Sequence, residues 1–322
     1  MTDKDNNDIP ALKEFLRRKA KVADKSSLDG AIGALSMFQD SEYGSDTVIE
    51  PDENTGDTKT GDVSPVLEFQ PDSGAGRYEI SGEVARGGMG IILNAFDSNI
   101  RRDVAMKVIT GDWQESREFI ERFVREAQVQ GQLEHPNICP VHELGVDKDG
   151  LIYFTMKMVH GESLAERIKR VKEEDSAGDP KRLTGVLNVF LKICDGIAFA
   201  HSRGIIHRDL KPDNIMVGDF GEVYVMDWGL GKIVGSVDDR RSGLMIADPG
   251  MVQDTMKTMT GSVVGTPAYM PPEQALGQVE EMDERSDLYS LGALLYELLS
   301  LEPPFSGETS WDILSQIGKR PP

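Results

Sequence analysis

The sequence changes character near residue 76, and this change limits which part of the chain can form a packed core. Between residues 40 and 76, ten acidic residues stand against a single base, Lys59, and large apolar residues are sparse. Such a segment buries too little apolar surface to offset the entropy lost on ordering. We therefore predict that residues 1–76 form an acidic, mostly disordered tail, with weak helical patterns at residues 9–16 and 28–35.

From Arg77 onward the apolar residues follow the patterns of a folded domain. Short β-rich runs broken by glycines come first, then an amphipathic helical stretch, a strand pattern and two long helical patterns. These lie at residues 77–110, 114–133, 151–159, 183–201 and 285–301. We predict an α+β fold, with a small β-rich lobe containing one main helix at 77–159 and a larger helical lobe at 160–322.

Charge and cysteine content exclude several classes of protein. The net charge is −20, whereas nucleic-acid binding needs a basic surface. Cys139 and Cys194 are too few for a disulfide framework or a zinc site, which favours a reducing compartment. The polar first residues are not a signal peptide, and no apolar run reaches the roughly 18 residues of a membrane span. We expect a cytoplasmic protein with no nucleic-acid partner and no membrane span in this chain.

Three features of the first lobe suggest a polyphosphate site. Gly87, Gly88 and Gly90 follow a predicted strand at residues 78–84, and glycines let the backbone close over phosphates, although most glycine-rich hairpins are simply turns. Lys107 ends an apolar strand run, where it either solubilises a strand edge or directs a positive charge at those phosphates. Glu126 is either a solvated helical residue or the ion-pair partner of Lys107.

The segment His207-Arg-Asp-Leu-Lys-Pro-Asp-Asn214 carries the strongest chemical signal. Phosphoryl transfer to a hydroxyl needs a carboxylate that orients the hydroxyl and accepts its proton. It also needs a cation beside the moving phosphoryl group and oxygen ligands for Mg²⁺. Asp209, Lys211 and Asn214 supply all three within six residues.

Together these motifs resemble those of the eukaryotic-like serine/threonine protein kinases of bacteria, over residues 77–322. The resemblance implies the two-lobed protein-kinase fold. It also implies transfer of the γ-phosphoryl group of ATP to Ser and Thr hydroxyls of protein substrates, including the protein itself, with Mg²⁺ or alternatively Mn²⁺ as the metal. In this family pattern Asp209 is the catalytic base, Lys211 contacts the γ-phosphate, and Lys107 holds the α- and β-phosphates while paired with Glu126.

The resemblance also implies which residues contact the nucleotide. Ala85 stands where the family has its first glycine, which is a departure expected to weaken nucleotide binding somewhat. Met156 resembles the gatekeeper, the residues after it resemble the hinge that holds adenine, and Glu162 resembles a ribose contact. The implied nucleotide-binding residues are Ala85, Gly87, Gly88, Gly90, Ile92, Lys107, Met156, Lys157, Met158 and Glu162.

Two aspartates compete for the second metal position beside Asn214. A literal Asp-Phe-Gly begins at Asp219, but it lies only about five residues after Asn214, which leaves no room for a returning strand pair. We interpret it as the turn between two strands. Asp227, in Asp-Trp-Gly after an apolar strand, is the better match, and Trp228 then serves as the aromatic plug.

Asp227 to Glu273 resembles a long activation segment. The candidate phosphorylation sites within it are Thr255, Thr258, Thr260 and Ser262. A phosphate there would pair with Arg208 and order the segment. Thr266 resembles the threonine that contacts the catalytic aspartate, and Asp287 resembles the helix aspartate that anchors the catalytic loop.

The family's last helices do not follow residue 317, nor does the arginine that pairs with the glutamate at Glu273. We therefore expect a fragment with exposed helix flanks and low stability. Two alternatives to the kinase remain: a pseudokinase or scaffold module that binds nucleotide or partners without turnover, and a small-molecule kinase with the same lobes. The oligomeric state is not predicted.

Overall fold

This computed structural model describes residues 76–87, 90–109, 116–147, 150–174, 180–229, 232–233, 267–278 and 281–317. The predicted acidic tail up to residue 75 lies outside these residues. So do Gly88, Thr266 and the four candidate phosphorylation sites of the activation segment. Predictions about them stay predictions.

Five antiparallel strands form the sheet of the first lobe. They are β1 (Tyr78–Arg86), β2 (Gly90–Asp97), β3 (Arg102–Ile109), β4 (Val141–Val146) and β5 (Ile152–Lys157). Their order across the sheet is β1-β2-β3-β5-β4. Because side chains alternate between the two faces of a strand, Val104 and Met106 pack in one apolar cluster and Ala105 in another. Lys107 shares the face of Ala105.

Helix α1 (Arg117–Gly131) covers the face of the sheet that carries Ala105. Ile120, Phe123 and Ala127 recur at helical spacing and are buried against the strands. The ring centroids of Phe123 and Phe154 lie 5.0 Å apart. The predicted helix at about 114–133 is confirmed with shorter bounds, and its packing brings Glu126 toward β3.

The second lobe is mainly helical. Its helices are α2 (Leu164–Glu173), α3 (Pro180–Ser202), α4 (Pro272–Ala275), α5 (Glu284–Ser300) and α6 (Ser310–Gln316). Helices α3 and α5 run antiparallel: Arg182 Nη2 donates to Leu298 O at 2.6 Å at one end, and His201 Nε2 lies 2.8 Å from Asp287 Oδ2 at the other. The two long helices predicted for this lobe are confirmed.

The prediction that no apolar run is long enough for a membrane span is corrected for one segment. Over the part of the chain that the structure describes, Arg182–Ser202 is long and apolar enough to cross a membrane by length and composition. Core helices of folded domains pass the same test, so a single such segment is weak evidence. Here Ile193 and Ile197 are buried with Leu294 and Leu298 of α5 in the main apolar cluster of the lobe. We interpret α3 as a core helix.

Short strands complete the second lobe. β6 (Gly161–Ser163), β8 (Ile215–Gly218) and β9 (Val223–Val225) form one sheet, and β7 (Ile205–Ile206) pairs with β10 (Lys232–Ile233). The predicted two-lobed α+β architecture is confirmed.

The connection between α1 and β4 is bonded to the second lobe. Asn137 Nδ2 donates to Val223 O at 3.1 Å, and the Val225 N–H donates to Asn137 O at 2.8 Å. The Cys139 N–H donates in turn to Val225 O at 3.3 Å. A Cβ on Gly196 of α3 would lie 3.2 Å from Asn137 O. The C-terminal end of α1 is therefore held close to the helical lobe.

Candidate active site

An ion pair between β3 and α1 forms one wall of the candidate site. Lys107 Nζ lies 2.5 Å from Glu126 Oε1 and 3.8 Å from Asp227 Oδ1. Burial lowers the pKa of the Lys107 ammonium, but the neighbouring Asp227 and Glu126 carboxylates outweigh it, and the pKa rises above its usual value. Burial raises the pKa of the Glu126 carboxyl, and the Lys107 ammonium opposes that rise. The ion-pair hypothesis for Lys107 is confirmed over the strand-edge alternative.

The loop between β7 and β8 groups three polar side chains. Lys211 Nζ donates to Asp209 Oδ2 at 2.7 Å, and Asn214 Nδ2 donates to the same oxygen at 3.0 Å. Asn214 Nδ2 also donates to Asp209 O at 2.8 Å, so the hydrogen bonds of this amide to the described residues all use its nitrogen. Two donors on one oxygen fix the orientation of the Asp209 carboxylate and leave the amide oxygen of Asn214 for a ligand.

A buried aspartate on α5 holds the backbone at the start of this loop. Asp287 accepts the backbone N–H of His207 at 2.8 Å and that of Arg208 at 2.9 Å. Arg208 has a φ of 70°, a left-handed conformation that costs a non-glycine residue energy. The predicted anchoring by Asp287 is confirmed. The further contact of Asp287 with His201 was not predicted, because a histidine within a helical pattern carries no local signal for a partner on another helix.

The imidazole of His207 connects the loop to the segment after β9. Its Nδ1 accepts from the Asp209 N–H at 3.2 Å and its Nε2 donates to Met226 O at 2.9 Å, a tautomer assigned from these partners. The Trp228 ring packs against the imidazole with centroids 4.6 Å apart and is 1% exposed. The predicted aromatic plug at Trp228 is confirmed.

Asp227 turns toward the Lys107 ammonium and remains 44% exposed. Lys107 holds the pKa of the Asp227 carboxyl below its usual value, against the opposing effect of burial. A Cβ on Gly229 would lie 3.3 Å from both Asp227 Oδ1 and Glu126 Oε2, so glycine leaves room for the two carboxylates. An ionised carboxylate and the amide oxygen of Asn214 are the hard oxygen ligands that a divalent cation prefers, and this donor set fits such an ion.

The competing Asp-Phe-Gly lies at the turn between β8 and β9. Gly221 has a φ of 82°, and the Phe220 N–H donates to Glu222 Oε2 at 3.0 Å. The Phe220 side chain is 95% exposed. The interpretation of Asp219 and its two neighbours as a hairpin turn is confirmed.

The glycine segment connects β1 to β2. The Gly87 N–H donates to Gly90 O at 2.9 Å. A Cβ on Gly90 would collide with Val108 O of the neighbouring strand, so the close approach of β2 to β3 requires glycine at this position. Gly88 lies between the described stretches, and its predicted role stays a prediction.

The predicted nucleotide contacts of the sheet share one face. Ile92 is the cross-strand partner of both Ala85 and Lys107. Ala105, two residues before Lys107, pairs with Met156 of β5, which is 4% exposed. Directly paired residues point to the same side of a sheet. The structure therefore brings Ile92, Lys107 and Met156 to a common surface.

The predicted hinge begins at the end of β5. The Lys157 side chain does not enter the site, because its ammonium donates to the Tyr224 hydroxyl of β9. Cys139 Sγ lies 3.7 Å from Lys157 O, and burial raises the pKa of this thiol to about 12. Cys139 is therefore the buried thiol that its apolar surroundings predict. Met158 packs against the same apolar cluster as Met156.

Glu162, the predicted ribose contact, forms an ion pair with a residue of helix α2 in the second lobe. Its Oε1 lies 2.7 Å from Arg170 Nη2 of α2. The Arg170 guanidinium holds the pKa of the Glu162 carboxyl below its usual value. A ribose hydroxyl would share this carboxylate with the arginine.

The segment before α4 is hydrogen-bonded to α5. The Tyr269 hydroxyl donates to Glu297 Oε2 at 2.5 Å, and burial raises the pKa of both groups. Ser286 Oγ donates to Glu273 Oε1 at 2.5 Å. No partner for Glu273 is predicted from the sequence, and the structure corrects this with the bond from Ser286.

Three groups define a phosphotransferase site on a protein-kinase fold. They are the lysine–glutamate pair of the first lobe, the Asp209 loop of the second lobe, and the Asp227 carboxylate near both. The family model for the protein kinase domain matches residues 78–320. The chain belongs to this family, whose members generally use ATP and a divalent metal.

The chain is also similar to curated bacterial serine/threonine-protein kinases. It is 39% identical over 238 residues to the serine/threonine-protein kinase PknD of Protochlamydia amoebophila, a match that covers 72% of this chain and 24% of that protein. It is 41% identical over 234 residues to PknD of Chlamydia abortus, with 71% and 24% covered. The chain thus spans about a quarter of the length of these relatives.

Proposed function

We propose that the protein is an ATP- and Mg²⁺-dependent serine/threonine protein kinase that phosphorylates Ser and Thr hydroxyls of protein substrates, including its own. The observation that carries this proposal is the Asp209 carboxylate held by Lys211 and Asn214, with Asp227 directed at the Lys107–Glu126 pair. Because the chain spans a quarter of its relatives, the activity, substrates and cytoplasmic location of the whole protein belong to the proposal.

The first lobe holds ATP as the phosphoryl donor in this scheme. The glycine segment between β1 and β2 covers the polyphosphate, and the hinge backbone at residues 157–158 binds adenine. Lys107 offsets the charge of the α- and β-phosphates. The common face of Ile92, Lys107 and Met156 supports this arrangement.

Asn214 and Asp227 hold the divalent cation, Mg²⁺ or alternatively Mn²⁺. When bound, the cation offsets negative charge on the phosphate oxygens. The lowered pKa of Asp227 keeps its carboxylate ionised at neutral pH.

Asp209 acts on the incoming hydroxyl. As the hydroxyl oxygen bonds to the γ-phosphorus, its proton passes to Asp209, and the bond from the γ-phosphorus to the bridging oxygen breaks, so that ADP leaves with the electron pair. Lys211, 2.7 Å from Asp209 Oδ2, offsets charge on the moving phosphoryl group. A general base typically contributes a factor of about 10² to 10⁴.

Phosphorylation of the activation segment belongs to the same proposal. The Arg208 guanidinium contacts Met282 Sδ at 3.3 and 3.4 Å. A thioether is a weak acceptor, so a phosphate on Thr255, Thr258, Thr260 or Ser262 would be a stronger partner for Arg208.

The test is autophosphorylation with labelled ATP and Mg²⁺, comparing wild type with Asp209→Ala and Asp227→Ala. Asp219→Ala, in the exposed hairpin turn, is the matched control. We expect label on Ser and Thr in wild type and in the control, and at least a hundredfold less in the other two. All four proteins are first compared by thermal unfolding. Nucleotide binding without label in wild type would favour the pseudokinase.

A further inference from the structure

Four methionines from separate parts of the chain meet in one apolar cluster between the lobes. They are Met156, Met158, Met216 and Met226. Of the seven methionines that the structure describes, more than half therefore lie in this one place. Ile92, on the predicted nucleotide surface, packs against the same cluster. The methionines thus adjoin that surface.

The second lobe contributes to this cluster through the hairpin of β8 and β9. Met216 of β8 is the cross-strand partner of Tyr224 of β9, and directly paired residues point to the same side of a sheet. The Tyr224 ring is buried in the cluster, and its hydroxyl accepts from the Lys157 ammonium at the end of β5. Met216 therefore faces the hinge from below.

Met226 lies at the other end of the cluster, directly before Asp227. Its backbone N–H donates to Asn214 O at 2.8 Å, and its carbonyl accepts from His207 Nε2 at 2.9 Å. Met158 belongs to the hinge. The thioethers thus extend from the hinge to the proposed metal ligands, and an adenine base held by the hinge backbone would rest on them.

Three of these side chains remain partly accessible to solvent. Met156 is 4% exposed, whereas Met158, Met216 and Met226 are half-buried. A thioether is soft and polarizable, and oxidation converts it to a polar sulfoxide. A sulfoxide pressed against the apolar face of a purine loses its hydrogen bonds to water, which disfavours binding.

The two cysteines are poor competitors for an oxidant. Cys139 is 0% exposed, and burial raises the pKa of its thiol to about 12. Cys194 packs against the main apolar cluster of the second lobe, and burial raises the pKa of its thiol as well. Because the thiolate is the reactive form of cysteine, both thiols are largely inert at neutral pH.

We propose that Met158, Met216 and Met226 form an oxidation site that controls nucleotide binding, with a hydroperoxide as the oxidant. A sulfur lone pair attacks one oxygen of hydrogen peroxide, and the O–O bond breaks as the S–O bond forms. The other oxygen leaves as hydroxide, which takes the proton of the transferred oxygen and becomes water. Each methionine loses two electrons and the peroxide gains them. This inference rests on the proposed kinase activity, because it requires adenine at this surface.

The first experiment titrates the protein with ADP and Mg²⁺ before and after treatment with hydrogen peroxide. The Kd for ADP should rise at least tenfold on oxidation. Dithiothreitol alone should not reverse the change, whereas subsequent addition of methionine sulfoxide reductases A and B should. Recovery with dithiothreitol alone would assign the effect to a cysteine and overturn the inference, as would an unchanged Kd.

A triple variant replaces the accessible sulfurs with side chains of similar volume: Met158→Leu, Met216→Leu and Met226→Leu. Each protein is compared with its own untreated sample. Peroxide should change the Kd of the triple variant by no more than about twofold. Met270→Leu is the control, because Met270 packs in a different apolar cluster, and this variant should lose affinity on oxidation as wild type does. A triple variant as sensitive as wild type would refute the assignment.

Peptide mapping by mass spectrometry supplies a readout that needs neither a variant nor turnover. Saturating ADP should slow sulfoxide formation at Met158, Met216 and Met226 at least tenfold and leave the rate at Met270, which is also half-buried, unchanged. Equal rates with and without ADP would refute the inference. A wild type that binds ADP but transfers no phosphate would refute the kinase proposal instead, and the protection result would still decide whether these methionines form the oxidation site.

Discussion

Single residues of the active site are constrained by space as much as by charge. A Cβ atom at Gly229 would lie close to two carboxylate oxygens, one from Asp227 and one from Glu126. A contact of 3.3 Å from a methyl group to each oxygen is tighter than ordinary packing, so one carboxylate must move. Each of them is within 4 Å of Lys107.

Gly229→Ala is therefore expected to disturb the ion pair more than the fold. Turnover should fall several-fold, because the carboxylate must shift by a few tenths of an ångström and a misplacement of about 1 Å near the chemistry costs about 10²-fold. Gly185→Ala is the matched control: nothing lies within 4 Å of its Cβ position in α3, and alanine should stabilise the helix by about 0.5–1 kcal/mol. Steady-state kinetics and thermal unfolding check both variants, and a fully active Gly229→Ala would contradict the steric argument.

The sequence does not predict contacts between residues that lie on different elements and far apart in the chain. The ion pair of Lys107 with Glu126 is predictable because a strand and a helix with strong periodicity place both residues. His201 and Ser286 are not, because a histidine or serine within a helical pattern carries no local signal for partners on another element. Their contacts depend on how α3, α4 and α5 pack together.

At the scale of elements, the hairpin of β8 and β9 separates two aromatic residues that look alike in the sequence. Phe220 lies in the turn and is 95% exposed, whereas Trp228 follows β9 and is 1% exposed. The spacing of residues predicts this difference, because two strands must fit between Asn214 and Asp227. A search for the literal motif alone would choose the exposed turn.

Substituting both aromatic residues tests the assignment. Phe220→Ala should change the free energy of unfolding by less than about 0.5 kcal/mol. Trp228→Ala should destabilise by about 3–5 kcal/mol, since it removes a large side chain from the core and from the His207 ring. Denaturant unfolding measures both. Similar losses in the two variants would show that the hairpin assignment is wrong.

For the whole molecule, the antiparallel pair of α3 and α5 is the central support of the helical lobe. Its inner side carries the main apolar cluster and Asp287. Apolar side chains also remain on its outer side: Leu183, Leu187 and Leu191 on α3, and Leu288, Tyr296 and Leu299 on α5 are 40–58% exposed. The predicted exposure of apolar side chains along these two helices is therefore present in the structure.

Exposed apolar side chains on neighbouring helices favour self-association. The combined variant Leu187→Gln, Leu191→Gln and Leu288→Gln should reduce concentration-dependent light scattering while changing the melting temperature by no more than about 4 °C. Asn188→Gln on α3 is the control and should leave scattering as in wild type. Undiminished scattering in the triple variant would locate the association surface elsewhere.

The bonds of Asn137 to β9 make the C-terminal end of α1 a pivot for movement between the lobes. A helix of 15 residues is about 22 Å long, so a rotation of about 10° at that end moves its first turn by about 4 Å. Glu126, about five residues from the pivoted end, moves by only about 1–2 Å, yet that is enough to break its contact with Lys107. A small rotation of α1 thus decides whether Glu126 hydrogen-bonds to Lys107, while the attraction between their charges weakens only gradually with distance.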